Sequence, residues 1–360
     1  MEIIAFYLPQ YHPTPHNNEW WGEGFTEWTN VAKAKPLYPG HYQPKVPADL
    51  GFYDLRMPEV REKQVELARE AGVTGFCYYH YWFGNGKEEL ERPFDEVVST
   101  GHPDFPFCLC WANETWSRKF WNKDGNVGEK VDLVKQEYPG EEDDIAHFNK
   151  LITAFKDKRY IKIDRKPVFL IYRPLAFEGV ERFIKLWNKL AFEKGLKGFY
   201  FIGYTLQADD EYDLIKGKGF DAVCSCRLGN VKKFDIAWYI RRIISVIIKI
   251  PIVISYKKVI PTLIRDIEKS KEDVYPVMIP NWDHTARSGS NGYLYSNSSP
   301  ELFEEHASQV LKALERKKSQ ICFLKSWNEW GEGNYMEPDL KFGRGYIKAL
   351  RNAIKTVKGE

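Results

Sequence analysis

Gln320-Ile321-Cys322-Phe323-Leu324-Lys325-Ser326-Trp327-Asn328-Glu329-Trp330-Gly331-Glu332-Gly333 decides how the chain is read. The run Gln320 to Leu324 reads as a buried strand, and Ser326 to Gly333 leaves it with two carboxylates three residues apart among tryptophans and glycines. Two acids at the exit of a strand suit glycosidic chemistry. One acid protonates a leaving oxygen, one base activates a nucleophile, and neighbouring rings stack on the sugar. An isolated Glu-x-x-Glu is also ordinary on helix surfaces, and Glu332 would then merely cap the next segment. Two Trp, one Asn and two Gly in eight residues are an odd choice for a solvated turn.

Working outward, the pattern of an apolar strand followed by a helix recurs. Strands are expected at Ile3 to Leu8, Val73 to Tyr79, Phe105 to Trp111, Pro167 to Tyr172, Gly198 to Tyr204, Ala222 to Cys226, Tyr275 to Ile279 and from Ile321. Helices are expected at Pro58 to Ala71, Glu88 to Val98, Asp143 to Phe155, Val180 to Lys194, near Asp210 to Lys216, Pro300 to Arg316 and Arg344 to Val357. Eight such units predict an α/β fold, a single (β/α)8 TIM barrel over residues 1–360 with its site at the C-terminal ends of the strands. The rival is two doubly wound halves, as in a nucleotide-sugar glycosyltransferase. No Gly-x-Gly-x-x-Gly follows any strand and no Pro-rich linker lies near the midpoint.

Two connections are long. Residues 9–57 hold seven Trp or Tyr with little periodicity, and so aromatic a loop reads as a structured lid or one wall of a cleft. Residues 227–271 form an enlarged sixth crossover. Within it, Trp238 to Ile264 is rich in Ile and Val with interspersed Lys and Arg, too short and too charged to span a bilayer. It reads as a helix packed on the barrel's flank, broken at Pro251, or as one that makes peripheral membrane contact. Between Thr115 and about Glu142 the chain reads as a polar excursion.

In a barrel, the strand exits converge on one mouth. They supply Tyr7, Gln10 and Tyr11; His80 and Trp82; Trp111, Asn113 and Glu114; Tyr172 and Arg173; Tyr204; Arg227; Trp282 and Asp283; and Trp327, Asn328, Glu329 and Glu332, with Trp28 from the aromatic loop. Aromatic faces stack on pyranose rings, and Asn, Asp, His and Arg pair with hydroxyls. Each has a plain structural reading too: His80 as a satisfied core histidine, Arg173 as half of a structural ion pair.

Composition favours a polysaccharide or oligosaccharide partner, although a barrel core also consumes aromatic residues. A net charge of +2 without a basic stripe gives no reason to expect nucleic acid, whereas 15% aromatic residues, with 12 Trp and 21 Tyr, favour a ligand with flat apolar faces. The six cysteines all fall in apolar runs, and neither Cys108/Cys110 nor Cys224/Cys226 has zinc-site spacing. Asp143-Asp144 and Asp209-Asp210, the acid pairs that would suit a metal for sugar-nucleotide chemistry, read as helix starts. No metal and no cofactor are expected. The opening segment does not read as a signal peptide, so a reducing, cytoplasmic setting is expected.

Five stretches, Ala5 to His12, Trp20 to Trp28, Tyr78 to Trp82, Cys110 to Glu114 and Trp327 to Gly333, together resemble the WbsX-like proteins of bacterial O-antigen and capsule loci. Those proteins are described as polysaccharide-biosynthesis glycosyltransferases, yet are similar in fold to glycoside hydrolase family 99, the endo-acting α-mannosidases. The resemblance implies a retaining reaction without metal: Glu329 deprotonates the sugar's own 2-hydroxyl, which attacks the anomeric carbon, and Glu332 is the general acid/base. Outside that motif little matches the family 99 mannose-binding loops, so the sugar does not transfer. The expectation is therefore a glycoside hydrolase of bacterial surface polysaccharide. Its alternatives are a nucleotide-sugar glycosyltransferase of lipopolysaccharide or capsule biosynthesis, and a non-catalytic glycan-binding barrel.

Overall fold

In the computed structural model, eight parallel strands close into a barrel: β1 (Glu2–Tyr7), β2 (Gly75–Trp82), β3 (Phe107–Trp111), β4 (Lys166–Ile171), β5 (Tyr200–Thr205), β6 (Ala222–Ser225), β7 (Val274–Met278) and β8 (Ile321–Leu324). Neighbours in sequence pair around the ring. β1 closes it, pairing with β8 (Ile3 opposite Cys322) on one side and with β2 (Phe6 opposite Cys77) on the other. The structure describes residues 1–121, 127–228 and 247–359, together with positions 240, 243 and 245.

Helices α1 (Pro58–Ala71), α2 (Arg92–Thr100), α3 (Glu141–Lys156), α4 (Val180–Glu193), α5 (Ala208–Gly217), α6 (Pro300–Leu314) and α7 (Gly345–Lys358) form the outer layer. α1 shows why the sequence folds this way. Pro58 opens it where a missing N–H costs nothing, and Gly72 closes it in the left-handed region at φ 88°. A Cβ on Gly72 would also lie 2.5 Å from Ile354 of α7, so the cap doubles as a close contact between the first and last helices. The acid pairs Asp143-Asp144 and Asp209-Asp210 lie in the first turns of α3 and α5, where the helix dipole favours negative charge.

Alternation along each strand makes two cores. Inside the barrel, Phe6 packs on Tyr79, Tyr204 and Phe323 at centroid distances of 5.5, 5.9 and 5.4 Å. Outside, Phe169 of β4 meets Trp187 of α4 at 4.8 Å, beside Phe155 of α3. All six cysteines are buried and free.

The long connections differ from their expected forms. Residues 9–57 contain two short helices, Pro15–Trp21 and Glu27–Lys33. The loop is tied down by Trp28 Nε1–H donating to the Tyr53 carbonyl (2.7 Å) and Ala48 N–H to the Pro338 carbonyl (2.9 Å). The polar excursion after β3 is an antiparallel hairpin, Trp116–Trp121 with Val127–Val134, whose many charged residues hide its strand pattern. In the sixth crossover, much of 238–246 lies outside the described residues. Beyond Pro251 the expected helix is instead a strand, Ile252–Ser255, pairing in parallel with Tyr293–Ser296, because β-branched residues in a short run favour extension. Among the described residues, no helix is long and apolar enough to cross a membrane.

Candidate active site

The polar turn after β8 is held by its own backbone and by the loop after β1. Asn328 and Glu329 pair antiparallel with Tyr335 and Asn334, and residues Trp330–Glu332 form one 3-10 turn between them. The Asn328 amide grips Leu8 from both sides, Oδ1 accepting its N–H (2.7 Å) and Nδ2 donating to its carbonyl (3.0 Å). Tyr11 donates to the Asn328 carbonyl and accepts the Trp330 N–H. Trp330 lies flat on Tyr335 at 3.8 Å and donates to the Glu337 carboxylate (2.7 Å), which also accepts from Gln64 (2.7 Å) and Tyr53 (2.8 Å). Burial pushes Glu337 up to about 7, against these three donors.

This frame sets both glutamates around one ammonium. Lys325 donates to Glu329 Oε2 (3.0 Å) and to the Tyr79 hydroxyl (2.9 Å), and stands 4.0 Å from Glu332 Oε2. Glu329, 5% exposed, also accepts from Ser326 Oγ (2.7 Å). Burial raises its proton affinity and the Glu332 charge adds to this, while Lys325 works the other way. Burial also disfavours the Lys325 charge, but Glu329 and its other partners outweigh that and hold the ammonium firmly protonated.

Glu332 is more open. Its Oε1 accepts from Arg287 Nη1 (2.6 Å) and lies 3.8 Å from His284 Nε2. Burial, with Arg287 alongside, lowers His284 to about 4, so its imidazole is neutral at neutral pH. Its Nδ1 meets Ser288 Oγ at 2.7 Å. Rings complete the surroundings: Tyr172 stacks on Tyr204 at 4.5 Å, and Trp282 lies against His284 and Tyr293 at 5.8 and 5.5 Å. The arrangement offers a sheltered carboxylate and a more accessible one at the C-terminal end of the barrel.

Of the residues expected at the mouth, the structure brings together Glu329, Glu332, Tyr172, Tyr204 and Trp282. Others face away because strand parity turns them outward. His80 meets His147 of α3 (2.7 Å), Trp82 donates to Asp143, and Trp111 packs among His147, Phe177 and Phe183. Tyr7 donates to Gln64 of α1 (2.6 Å); Trp327, in the bend past the end of β8, packs on Phe76, and both are fully buried.

A further group is engaged by protein partners. Asp283 accepts from His41 (3.0 Å), Gln43 (2.8 Å), Lys45 (3.1 Å) and Thr285 (2.6 Å). Burial opposes its ionisation, yet Lys45 and these donors hold it well below the usual carboxylate range. Asn113 bridges Tyr138 and the Arg173 backbone, Glu114 pairs with Arg173, and Arg227 is buried between Glu268 and Asp209. Asn328, Tyr11 and Trp28 form the frame behind the turn; Gln10 anchors that loop by accepting the Glu27 N–H at its carbonyl (3.1 Å).

Sequence reasoning missed Lys325, Arg287, His284 and Tyr79, together with Tyr81, buried within reach of the Glu329 and Arg287 charges, and Glu27, which pairs with Arg287. Lys325 had a signal, a lone charge ending an apolar strand. Tyr79 and Tyr81 were legible from parity, since they alternate with His80 and Trp82.

The fold has counterparts among solved structures. The GH99 endo-alpha-mannosidase of Bacteroides thetaiotaomicron superposes with a TM-score of 0.58 at 15% identity, covering 99% of this chain and 98% of that one. The same enzyme with Bis-Tris-propane gives 0.56 at 16% over 99% and 97%, and a glycoside hydrolase-like protein gives 0.58 at 14% over 98% and 93%. By sequence, the uncharacterized protein WxcX from two strains of Xanthomonas campestris pv. campestris is 33% identical over 98% of this chain. The chain spans about half the length of these curated relatives, 49%. A model of the family described as Glycosyltransferase WbsX matches residues 3–350, nearly the whole chain, and the chain belongs to that family.

Proposed function

We propose that this chain is a retaining glycoside hydrolase of bacterial surface polysaccharide, with Glu329 and Glu332 as its working pair. The observation that carries this reading is that both carboxylates lie within 4.0 Å of the Lys325 ammonium at the C-terminal end of a TIM barrel. The likeness to GH99 endo-alpha-mannosidases supports the fold behind it.

In the proposed reaction Glu329 takes the proton of the sugar's 2-hydroxyl. The freed oxygen attacks the anomeric carbon to give a 1,2-anhydro sugar, as Glu332 gives its proton to the leaving oxygen. Glu332 then takes a proton from water that opens the anhydro ring, and Glu329 returns its proton to the 2-oxygen. A buried carboxylate with raised proton affinity is a stronger base near neutrality, which suits Glu329 to the first step. Tyr172, Tyr204 and Trp282 are the proposed sugar-stacking surface.

The family's description favours a second reading, glycosyl transfer from a nucleotide sugar. The two separate cleanly. The chain is incubated with O-antigen and capsular polysaccharides, products are read by mass spectrometry, and UDP, GDP and TDP sugars are titrated in parallel. Release of defined oligosaccharides supports the hydrolase. Saturable nucleotide-sugar binding with no release from any glycan favours the transferase.

A further inference from the structure

The loop after β1 carries a carboxylate that the reaction above does not use. Glu27 begins the short helix Glu27–Lys33, is 2% exposed, and forms a two-bond fork with Arg287: Nε to Oε1 at 2.9 Å and Nη2 to Oε2 at 3.0 Å. The fork leaves Nη1 for Glu332, at 2.6 Å. Gly331 makes the room. A Cβ there would fall 1.6 Å from Glu27 Oε1 and 3.1 Å from Arg287 Nε. The glycine between the two working glutamates is thus the floor on which a third carboxylate rests, which accounts together for Glu27 of the Trp20 to Trp28 segment and Gly331 of the terminal motif.

Charge explains why a third acid belongs there. A bare guanidinium against Glu332 favours its ionised form, whereas an acid/base must hold a proton in one step and release it in the next. Forked on Glu27, Arg287 meets Glu332 as half of a neutral pair while still donating one directed hydrogen bond. Besides Arg287, the groups facing Glu332 are His284 at 3.8 Å, neutral at neutral pH, Lys325 at 4.0 Å, and Glu329, Tyr172 and Tyr293 through their charges or hydroxyls.

Resting on the reading of Glu332 as the acid/base, we propose that Glu27 is its positioning residue, neutralising Arg287 and aiming Nη1 so that Glu332 can exchange its proton during turnover. Glu27 touches no substrate atom in this scheme.

The test is the pH profile of Glu27→Gln. Arg287 is then uncompensated, ionised Glu332 is favoured, and the basic limb of kcat/KM moves to lower pH by about one unit. Arg287→Gln added to it moves the limb back, and Glu27→Asp gives a smaller shift in the same direction. A Glu332 carboxyl 13C signal, assigned by its loss in Glu332→Gln, follows the same shifts whether or not any glycan is cleaved. No turnover by the wild type would therefore count against the hydrolase, and not against this inference. A folded Glu27→Gln whose 13C midpoint stays put, or moves to higher pH, overturns it. Should Glu27→Gln fail to fold, an unmoved midpoint in Glu27→Asp does the same.

Discussion

β2 presents two pairs of aromatic residues to opposite sides of one strand. Tyr79 and Tyr81 look into the barrel, where Tyr79 accepts from Lys325 beside Glu329. His80 and Trp82, each one residue along, look out at His147 and Asp143 of α3. The barrel interior and the strand–helix interface both consume aromatic rings, so ring content alone cannot locate the site. Parity separates the two sets, since neighbouring residues on a strand face opposite sides.

The sharpest way to break this contrast is to neutralise the inner carboxylates. Glu329→Gln and Glu332→Gln are expected to lower kcat by about 10²–10⁴-fold each, the usual worth of a positioned acid or base, with glycan affinity by calorimetry little changed. An outer substitution should do the reverse. Trp111→Ala is expected to cost about 3–5 kcal/mol of stability in urea unfolding while the folded fraction keeps its kcat. A Trp111→Ala protein of normal stability but lost turnover would move that ring to the site.

Glu337, behind the turn, gives a pH signature of its own. Its folded-state proton affinity is raised to about 7, so between roughly pH 4.5 and 7 the folded chain binds the extra proton, and its contribution to stability falls as pH rises through that window. The wild type should lose roughly 3 kcal/mol relative to Glu337→Gln across that range. Parallel unfolding curves at both pH values would refute this. The smallest effect compares two hydroxyls. Tyr79→Phe and Tyr7→Phe each remove one buried hydrogen bond worth about 1 kcal/mol, yet the inner change should lower kcat/KM several-fold and the outer one only stability.

Much of the architecture was legible because the barrel's strands are continuous apolar runs and its helices carry periodic faces and caps. α1 was expected at Pro58 to Ala71 and lies there; most other ends differ by a few residues. The hairpin after β3 was not legible, because charged residues such as Arg118, Lys119, Glu129 and Lys130 interrupt the apolar alternation that would mark its strands. At the candidate site, Glu329 and Glu332 stand out by local context, whereas Arg287 gives no such sign. It sits in a four-residue helical turn, Thr285–Ser288, and gains its meaning from Glu27, distant in sequence but forked onto it in space. Asp283 shows the converse: it stands at a strand exit and is engaged by four side chains, three of them from residues 41–45.

The most direct test is proton NMR of the first product released from a cleaved polysaccharide by the wild type, with Glu332→Gln alongside. The account predicts a new reducing end with the anomeric configuration of the bond that was cut, and no such signal from the variant. A product of inverted configuration, or one released equally fast by Glu332→Gln, would contradict it.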